Sequence, residues 1–505
     1  MDKMSKIYLK RNTIMSITYE MLTIICGFIL PKYILQYYGS ETNGLVTSIT
    51  QFLGFISLCE LGMGAVVPAS LYRPLADKDS KKINSIIISS QRFYRLIAII
   101  MLVYIVFLIG IYPRMVKGSF SFIFTASLIG IISISTIAQY FFGITYSLLL
   151  KADQKQYISF FINSIALLAN TVLSVVFIKL GFSIHVVKLL STIIFLFRPI
   201  GLTLYVKHNY SINLNEEYHG EPIKQKWNGI AQHLANTIQE KADTVILTVL
   251  STLSNVSIYG IYFMIINGMR CLVYSLTAGI SALIGNMLAK NETDQLKETF
   301  EKFDWSMHTL TVLLFSVTGI LIVPFVRVYT QGLRDSYIYI VPLFSTIMTI
   351  AIAARCIQMP YNVVIQAAGH FKETQTSAII EPVINIAVSI IMVYKYGLVG
   401  VAVGTLISMT YRVIYLATYL MKHILYLKPI VFIKQLCVDV ISAMVMVFTT
   451  FWMTYIPESY FQWGGYAIIV FTICLIECIV INFVLYRKFV IRQICQVKRK
   501  IEKKR

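Results

Sequence analysis

The sequence lacks most of the features that identify a soluble enzyme or a secreted protein. Only 13% of its 505 residues are charged, compared with about 25% in a typical soluble domain. The eight cysteines form no Cys-x-x-Cys pair and no Cys/His cluster, and His185 and His233 have no metal-ligand spacing. The chain also lacks the glycine-rich phosphate loop of P-loop ATPases. We therefore expect no disulfide framework, no metal, no cofactor and no catalytic residue.

Long apolar runs are abundant. Hydrophobic residues make up 57% of the chain and the mean hydropathy is +0.71. Apolar runs of about 20 residues recur from residue 14 to residue 486, and a helix of that length crosses the ~30 Å hydrocarbon core of a bilayer. The sequence therefore predicts an all-α integral membrane protein with about 14 transmembrane helices, including 44–71 and 229–251.

The basic residues are distributed unevenly along the chain. With the N-terminus in the cytoplasm, the connections on that side and both tails hold 31 of the 44 Lys and Arg residues, and the opposite side holds 6. Cytoplasmic loops of membrane proteins carry this excess. We predict that both termini are cytoplasmic. The net charge of +20 then reflects orientation and attraction to membrane lipids, and we expect no nucleic-acid partner.

The chain shows weak internal similarity at an offset of about 215 residues. The matched pairs are Asn12/Asn228, Gly44/Gly260, Tyr146/Tyr361, Ala152/Ala367, Asn170/Asn385, Ser174/Ser389, Arg198/Arg412 and Tyr205/Tyr419. We predict a six-helix bundle over 1–215, a second copy over 216–428, two additional helices over 429–487 and a basic cytoplasmic tail over 488–505. Two copies with the same orientation are expected to surround a central cavity, which suits alternating access.

Polar side chains share one face of the first predicted helix and one face of the seventh. The two stripes are Asn12, Ser16, Glu20, Thr23 and Gly27, and Asn228, Gln232, Asn236, Gln239 and Asp243. Their spacing of three and four residues is that of a helix face. Because lipid satisfies no polar group, we expect both stripes to face protein or water rather than hydrocarbon.

Ionisable residues inside a span are costly and often mark a transport path. We predict that Arg270 and Arg355 contact an anionic substrate, and that Glu20, Glu60, Glu240, Asp243 and Glu381 are candidates for binding a coupling ion or proton. Further candidates for substrate binding are Arg198, Arg412, Lys241, Asn267 and Gln358. The alternative for these charges is a structural ion pair. Lys32, Asp439 and Glu477 are interpreted as structural.

The most specific pattern lies in the first 95 residues. It consists of 11–13 (RNT), 27–32 (GFILPK), 38–45 (YGSETNGL), 51–53 (QFL), 60–64 (ELGMG) and 71–77 (LYRPLAD). These segments resemble bacterial polysaccharide-biosynthesis flippases of the multidrug/oligosaccharidyl-lipid/polysaccharide exporter superfamily. The arrangement of six, six and two helices is similar over nearly the whole chain.

The resemblance implies a non-enzymatic flippase in the bacterial plasma (inner) membrane. Its substrate would be an undecaprenyl-pyrophosphate-linked oligosaccharide, moved from the cytoplasmic to the outer leaflet for capsule, O-antigen or a related polymer. A polysaccharide polymerase and a chain-length regulator would be its partners. The alternatives are a cation-coupled multidrug exporter, a peptidoglycan-precursor flippase and, on weaker grounds, a membrane polymerase or glycosyltransferase.

Overall fold

The computed structural model describes residues 3–60, 63–116, 120–210, 212, 230–275, 278–290, 292–333, 335–453 and 455–487. Every regular segment in these ranges is helical. The predicted basic tail, residues 213–228 of the long connection and the stripe residue Asn228 lie outside the described residues.

The chain packs into two compact units, which comprise residues 1–257 and 258–505. Unit 1 contains the seventh predicted helix, and unit 2 contains the two additional C-terminal helices. Packing units need not coincide with sequence repeats, so the predicted division at residues 215 and 428 stays a prediction.

The described residues of unit 1 form eight helices and the start of a ninth, with a core that includes Ile49, Ile87, Tyr94 and Leu128. The helices are α1 (Lys3–Leu53), α2 (Met63–Ala76), α3 (Ser80–Met115), α4 (Phe122–Ala138), α5 (Ile144–Ala152), α6 (Gln156–Lys179), α7 (Ile184–Asn209), α8 (Ile230–Leu250) and α9 (Leu253–Ser275). A 3-10 segment (Gly54–Glu60) follows α1, and a π-helical segment (Gln139–Gly143) joins α4 to α5.

In unit 2 the part of the chain that the structure describes forms the rest of α9 and eight further helices. These are α10 (Ala278–Ala289), α11 (Thr293–Tyr329), α12 (Pro342–Ile357), α13 (Met359–Ala367), α14 (Phe371–Tyr396), α15 (Leu398–Leu420), α16 (Ile430–Phe451) and α17 (Tyr460–Leu485). A 3-10 segment (Ser336–Tyr339) precedes α12, and a π-helical segment (Met421–Leu425) extends α15. Helices α16 and α17, here called the accessory pair, pack against each other and against α11.

The protein is a multi-pass membrane protein. Twelve helices within the described residues are long and apolar enough to cross a membrane. Large apolar side chains such as Val106, Ile123 and Phe461 are exposed, as expected of surfaces that face lipid. The all-α membrane class is confirmed.

The predicted count of 14 spans is not confirmed. The first predicted span and the start of the second lie in one helix, α1, which has non-helical backbone angles at Gly39 (φ 83°). The seventh predicted span, α8, is not among the twelve because Glu240, Lys241 and Asp243 place three charges in every 18-residue window of the helix.

Three predicted spans that were expected to be single helices are interrupted. The second, 44–71, is helical to Leu53 and then changes to the 3-10 segment before α2 begins at Met63. The fourth, 120–149, is divided by the π-helical segment between α4 and α5, and its repeat equivalent, the tenth span at 338–366, is divided at Gln358 between α12 and α13. The helices after the breaks in the fourth and tenth spans end at Ala152 and Ala367, which are a predicted repeat pair.

Two of the residue pairs that suggested the repeat make the same contact in their own units. The Ser174 hydroxyl lies 3.3 Å from Asn170 Oδ1 in α6, and the Ser389 hydroxyl lies 3.1 Å from Asn385 Oδ1 in α14. All four side chains are buried. A hydroxyl that donates to an asparagine one turn earlier satisfies both polar groups inside an apolar bundle.

Gly400 marks a close approach between α14 and α15. A Cβ atom at this position would lie 2.5 Å from the backbone carbon and oxygen of Met392. Backbone atoms cannot rotate away, so we expect Gly400→Ala to force the two helices apart and to cost about 1–3 kcal/mol of stability. Thermal unfolding of the detergent-purified protein measures this loss.

Gly464 provides the control for this substitution. It lies in helix α17, and nothing approaches within 4 Å of the Cβ it would carry. Gly464→Ala should leave the unfolding temperature unchanged or raise it slightly, because alanine favours the helix. Equal unfolding temperatures for the two variants would contradict the proposed close contact at Gly400.

Candidate functional site

Two arginines of unit 2 gather around one tyrosine. The Arg270 guanidinium lies 5.7 Å from the centre of the Tyr274 ring, one turn along α9. The Tyr274 hydroxyl lies 3.4 Å from the backbone oxygen of Arg355, at the end of α12. Both arginines interact electrostatically with Tyr274 and with Cys356. The structure therefore brings the two predicted substrate-binding arginines together.

A buried ion pair lies beside these arginines. Arg412 Nε of α15 is 3.4 Å from Glu381 Oε2 of α14, and the two residues are only 4% and 6% exposed. The Arg412 guanidinium also donates to the Ser377 hydroxyl and to the backbone oxygen of Thr374. Glu381 interacts electrostatically with Arg355 as well. This geometry is that of a structural ion pair, the alternative that the sequence left open for Arg412 and Glu381.

Two amide side chains of unit 2 carry unsatisfied acceptors. Gln358, at the break between α12 and α13, is buried, and its Oε1 has no hydrogen-bond partner among the described residues. Asn267, three residues before Arg270, has a buried Oδ1 that is likewise unpaired within the described ranges. A buried acceptor without a donor costs free energy, so both atoms can accept a hydroxyl or N–H group of a bound molecule.

The interrupted second span of unit 1 holds a second polar group of residues. Tyr140 lies in the π-helical segment, and Glu60 is the last residue of the 3-10 segment. The Tyr140 hydroxyl donates to Glu60 Oε1 at 2.5 Å. His233 of α8 contacts the backbone oxygen of Ser57 at 2.9 Å. Tyr140 is the repeat equivalent of Arg355, so unit 1 places a neutral donor beside an acid where unit 2 has an arginine.

Lys241 of α8 supplies a positive charge to this second group. Its Nζ lies 3.4 Å from Gln51 Oε1. The same Nζ would lie 2.5 Å from a Cβ at Gly54, the repeat equivalent of Arg270. The lysine therefore occupies the space that a side chain at residue 54 would take, and unit 1 obtains from a different helix the charge that Arg270 supplies in unit 2.

Replacing Gly54 with alanine tests this placement. The new methyl group would meet Lys241 Nζ and Cε, the flexible end of a long side chain, so we expect the fold to survive while the ammonium group moves. Transport should fall several-fold with an unchanged unfolding temperature. Gly64→Ala, where nothing lies within 4 Å of the added Cβ, is the matched control. Full activity of Gly54→Ala would remove Lys241 from the mechanism.

The remaining candidates lie in different surroundings. Asp243 is buried in α8, whereas Glu240 in the same helix and Glu20 in α1 are exposed. The Arg198 guanidinium lies 4.0 Å from the centre of the Phe195 ring, and its Nε has no hydrogen-bond partner among the described residues. Of these residues, Glu240 interacts electrostatically with Lys241 of the second polar group.

Asn12 of the first polar stripe has a structural role in unit 1. Its side chain donates to the backbone oxygen of Gln154 and accepts from the backbone N–H of Tyr157, both at 2.8 Å. Gln154 belongs to the short connection between α5 and α6. In the same connection, Asp153 accepts a hydrogen bond from the Tyr210 hydroxyl. Burial and this hydrogen bond raise the pKa of Tyr210. One residue of the stripe is thus explained by packing rather than by transport.

The sequence did not identify Tyr274 and Tyr140 as central residues of the two groups. Tyr274 lies four residues after Arg270, and Tyr140 is the neutral repeat equivalent of Arg355. Their roles depend on contacts with helices that are distant in sequence, 81 residues away for Tyr274 and 80 for Tyr140. His308 of α11, whose Nδ1 lies 2.5 Å from Asp439 Oδ2 of α16, was missed for the same reason.

A comparison with protein families matches part of the chain. The MatE family model matches residues 230–391, from the start of α8 into α14. No curated protein matches the chain by sequence. The family match therefore covers helices that carry Lys241, Arg270, Arg355 and Glu381.

Solved structures match the chain over most of its length. The lipid II flippase MurJ in an inward closed conformation has a TM-score of 0.71 and 15% identity, covering 95% of this chain and 100% of that chain. A multidrug resistance MATE transporter in an inward-facing conformation has a TM-score of 0.65 and 12% identity, covering 81% and 98%. The Vibrio cholerae MATE transporter VcmN in the bent form has a TM-score of 0.52 and 16% identity, covering 85% and 100%. The chain has the fold shared by MurJ and the MATE transporters.

Proposed function

We propose that the protein is a flippase of the multidrug/oligosaccharidyl-lipid/polysaccharide exporter superfamily, and that it moves undecaprenyl-pyrophosphate-linked oligosaccharides to the outer leaflet by alternating access. The observation that carries the proposal is the pairing of Arg270 and Arg355 around Tyr274 within a membrane-spanning unit. Guanidinium groups bind phosphate through two parallel hydrogen bonds, and such contacts replace the hydration that a pyrophosphate loses.

The acceptors near these arginines suit the sugar part of the substrate. Asn267 Oδ1 and Gln358 Oε1 are buried and unpaired among the described residues, and saccharide hydroxyls are donors. A multidrug cation offers few such donors and would be repelled by the arginines. The chemistry of this group therefore favours a hydroxyl-rich anion.

The accessory pair supports a lipid-linked substrate. The likeness to the lipid II flippase MurJ covers 95% of this chain, whereas the likeness to the inward-facing MATE transporter covers 81%. Helices α16 and α17 lie outside the predicted repeat and provide additional surface for a lipid tail. The short segments near the N-terminus favour polysaccharide units over lipid II.

An inside-negative membrane potential drives the proposed movement. A pyrophosphate-linked lipid carries about two negative charges, and each charge that crosses the membrane contributes roughly 2.3 kcal/mol per 100 mV. The potential therefore favours outward transfer when no cation accompanies the head group. The proposal also places both termini in the cytoplasm. Its expected partners are a polysaccharide polymerase and a chain-length regulator.

Reconstitution into liposomes tests the substrate class. A fluorescent undecaprenyl-pyrophosphate oligosaccharide is placed in both leaflets, and a membrane-impermeant reductant quenches only the molecules in the outer leaflet. We expect the protein to move the remaining molecules outward, so that the quenched fraction rises above one half. Fluorescent lipid II and a cationic dye are tested in parallel. Faster transfer of lipid II would identify a peptidoglycan-precursor flippase, and transport of the dye alone would identify a multidrug exporter.

A further inference from the structure

Unit 2 contains a cavity at one end of its helices. It is lined by the end of α10, the connection between α13 and α14, and the π-helical segment that extends α15. Its volume is about 460 Å³, within the range of about 300–1,000 Å³ that is usual for small-molecule sites. The lining residues include Leu288, Ala368, His370, His423, Ile424 and Tyr426. Two imidazole rings thus belong to the wall of an otherwise mostly apolar cavity.

Tyr419 of α15 positions both imidazole rings. Its hydroxyl lies 2.9 Å from His370 Nδ1, and its backbone oxygen lies 3.1 Å from His423 Nδ1. A carbonyl group only accepts, so His423 Nδ1 carries a proton. The hydroxyl can donate to His370 Nδ1, and the neutral His370 ring then carries its proton on Nε2. Both rings make these hydrogen bonds through Nδ1, which leaves their Nε2 atoms available to a molecule in the cavity.

The turn before α14 has the same backbone as its counterpart in unit 1. At the offset of 215 residues, His370 corresponds to Lys155 and Gly369 to Gln154. Gly369 and Gln154 both have a positive φ, of 79° and 57°. The backbone N–H groups of His370 and Lys155 each donate to the oxygen five residues earlier, at 3.1 and 2.8 Å. Differences between the two turns therefore come from their side chains.

An ion pair occupies the corresponding place in unit 1. Lys155 Nζ lies 2.8 Å from Asp153 Oδ2 and 5.0 Å from the centre of the Tyr210 ring. The Tyr210 hydroxyl donates to the same carboxylate. The residues of unit 2 that are equivalent to Asp153 and Tyr210 are Ala368 and Ile424, and both line the cavity. Unit 2 thus keeps a nitrogen base at the turn but has neither the acid nor the phenol that pair with it in unit 1.

The charges around the cavity favour an anion. No acid is among the described residues that line it. The charged residues within five positions of a lining residue are four lysines and two glutamates: Lys290, Lys372, Lys422, Lys428, Glu292 and Glu373. A concave site with an excess of positive charge at its rim raises the local concentration of anions. The imidazole nitrogens are therefore expected to meet an acceptor group such as a phosphate.

A row of aromatic rings extends along α15 from the cavity. Successive rings are four residues apart, and their centres lie 6.2, 6.3 and 4.5 Å from each other. At 1.5 Å per residue the row covers about 18 Å, which is about half of the ~30 Å hydrocarbon core. The ring row consists of Tyr411, Tyr415, Tyr419 and His423, and its equivalents in unit 1 are Phe197, Gly201, Tyr205 and Asn209. With Gly201 and Asn209 at two of these positions, the row is particular to unit 2.

We propose that the cavity binds the phosphate headgroup of an anionic phospholipid, and that an acyl chain of this lipid lies along the ring row. His370 and His423 contact the phosphate, and the lysines at the rim attract the lipid. The cavity lies on the side predicted to be cytoplasmic, where the leaflet carries anionic lipids. A free phosphate would gain nothing from the rings, so the ring row favours a lipid. Neither Arg270 nor Arg355 lines the cavity, and the inference does not depend on the transported substrate.

Two substitutions at Ala368 test the site. The full-length protein is placed in phosphatidylcholine nanodiscs with a small fraction of phosphatidylglycerol that carries a photoreactive headgroup, and crosslinks to residues 423–428 are measured by mass spectrometry. Ala368→Asp restores the acid of unit 1, and its repulsion of the phosphate should lower crosslinking by at least about tenfold. Ala368→Asn has nearly the same size without the charge and should crosslink like the wild type. Equal crosslinking by both variants would overturn the proposal.

The imidazole rings are tested in the same way. The double variant His370→Gln/His423→Gln should also lose most crosslinking, and it decides the question if Ala368→Asp is not recovered folded. His185→Gln is the control, because this histidine of unit 1 contacts Ser127 and the backbone of Phe124 instead. Crosslinking by the double variant at the level of this control would overturn the proposal.

Competitors identify the source of the phosphate. Unlabelled phosphatidylglycerol should displace the probe, whereas inorganic phosphate at the same concentration should not. Displacement by inorganic phosphate would indicate a site for a free anion, and displacement by undecaprenyl pyrophosphate at a lower concentration than phosphatidylglycerol would indicate the transported lipid. Either result would overturn the proposal. Because crosslinking is measured without transport, its failure would leave the proposed function untouched.

The ring row is tested at Tyr411, the ring farthest along the row from His423. Tyr411→Ala removes the ring and should lower crosslinking several-fold, because the acyl chain loses apolar contact. Tyr411→Phe keeps the ring and should preserve crosslinking. Equal crosslinking by the two variants would overturn the placement of the acyl chain along α15.

Discussion

Replacing Arg412 with methionine should strongly destabilise the protein. The substitution keeps most of the side-chain volume but removes the guanidinium that directly contacts the Glu381 carboxylate, which is only 6% exposed. Removing one member of a buried ion pair typically costs about 3–5 kcal/mol, because the remaining charge stays buried and uncompensated. We expect a large drop in the unfolding temperature of the detergent-purified protein and little protein in the membrane.

A second substitution should restore much of the loss. Glu381→Gln removes the uncompensated charge, and a neutral pair of similar volume can match the stability of a buried ion pair. The double variant should therefore unfold near the wild-type temperature. If Arg412 instead bound the substrate, Arg412→Met would fold normally and lose only transport.

Arg198, the repeat equivalent of Arg412, provides a matched control. Its guanidinium lies over the Phe195 ring, and a cation–π contact of this kind contributes about 0.5–2 kcal/mol. The residue that aligns with Glu381 in unit 1 is Ala166, so the repeat places no acid in unit 1 at the position of the Arg412 partner. Arg198→Met should cost clearly less than Arg412→Met, and equal losses would contradict the assignment of the ion pair.

This difference between two equivalent arginines shows what the sequence could predict. The repeat placed Arg198 and Arg412 at the same position and suggested a shared role. The role of each arginine depends on the residue that faces it. Arg412 pairs with Glu381, whereas the residue at the position equivalent to Glu381 in unit 1 is Ala166. Comparing partners as well as matched residues would have separated the two arginines before the structure was known.

The all-α membrane class was predictable because apolar runs of membrane length are a strong signal. The interruptions within the spans were not predictable from the sequence. The 3-10 segment Gly54–Glu60 and the π-helical segment Gln139–Gly143 contain mostly apolar residues and resemble continuous helix. Hydropathy measures the cost of burial in lipid and carries no information on which backbone hydrogen bonds a helix uses. The polar contacts of Glu60 and Tyr140 arise at these interruptions.

Residues whose partners are distant in sequence were the hardest to find. His308 and Asp439 are 131 residues apart, and the contact depends on how α16 packs on α11. Asp439 was interpreted as structural from its own sequence neighbourhood, and that interpretation stays a prediction. Arg270 and Arg355 were found because each is an isolated cation in an apolar span, a signal that needs no partner.

Alanine at Arg355 should lower flipping of the lipid-linked oligosaccharide by about 10- to 100-fold. A hydrogen bond to a charged group contributes about 1.5–3 kcal/mol, and each 1.4 kcal/mol corresponds to about a factor of ten. Arg270→Ala should have an effect of similar size, and the double variant should abolish surface polymer. Arg355→Lys should retain part of the activity, because lysine keeps the charge but loses the paired hydrogen bonds.

The measurement must separate a loss of binding from a loss of protein. Arg327→Ala, an exposed arginine near the end of α11, is the control and should flip the substrate at the wild-type rate. Both single variants should reach the membrane and unfold near the wild-type temperature, since neither arginine is as deeply buried as Arg412. Wild-type flipping by Arg270→Ala and Arg355→Ala would remove both residues from the mechanism. In that case neither arginine of unit 2 would bind the substrate phosphates, and Lys241 of unit 1 would be the next candidate to test.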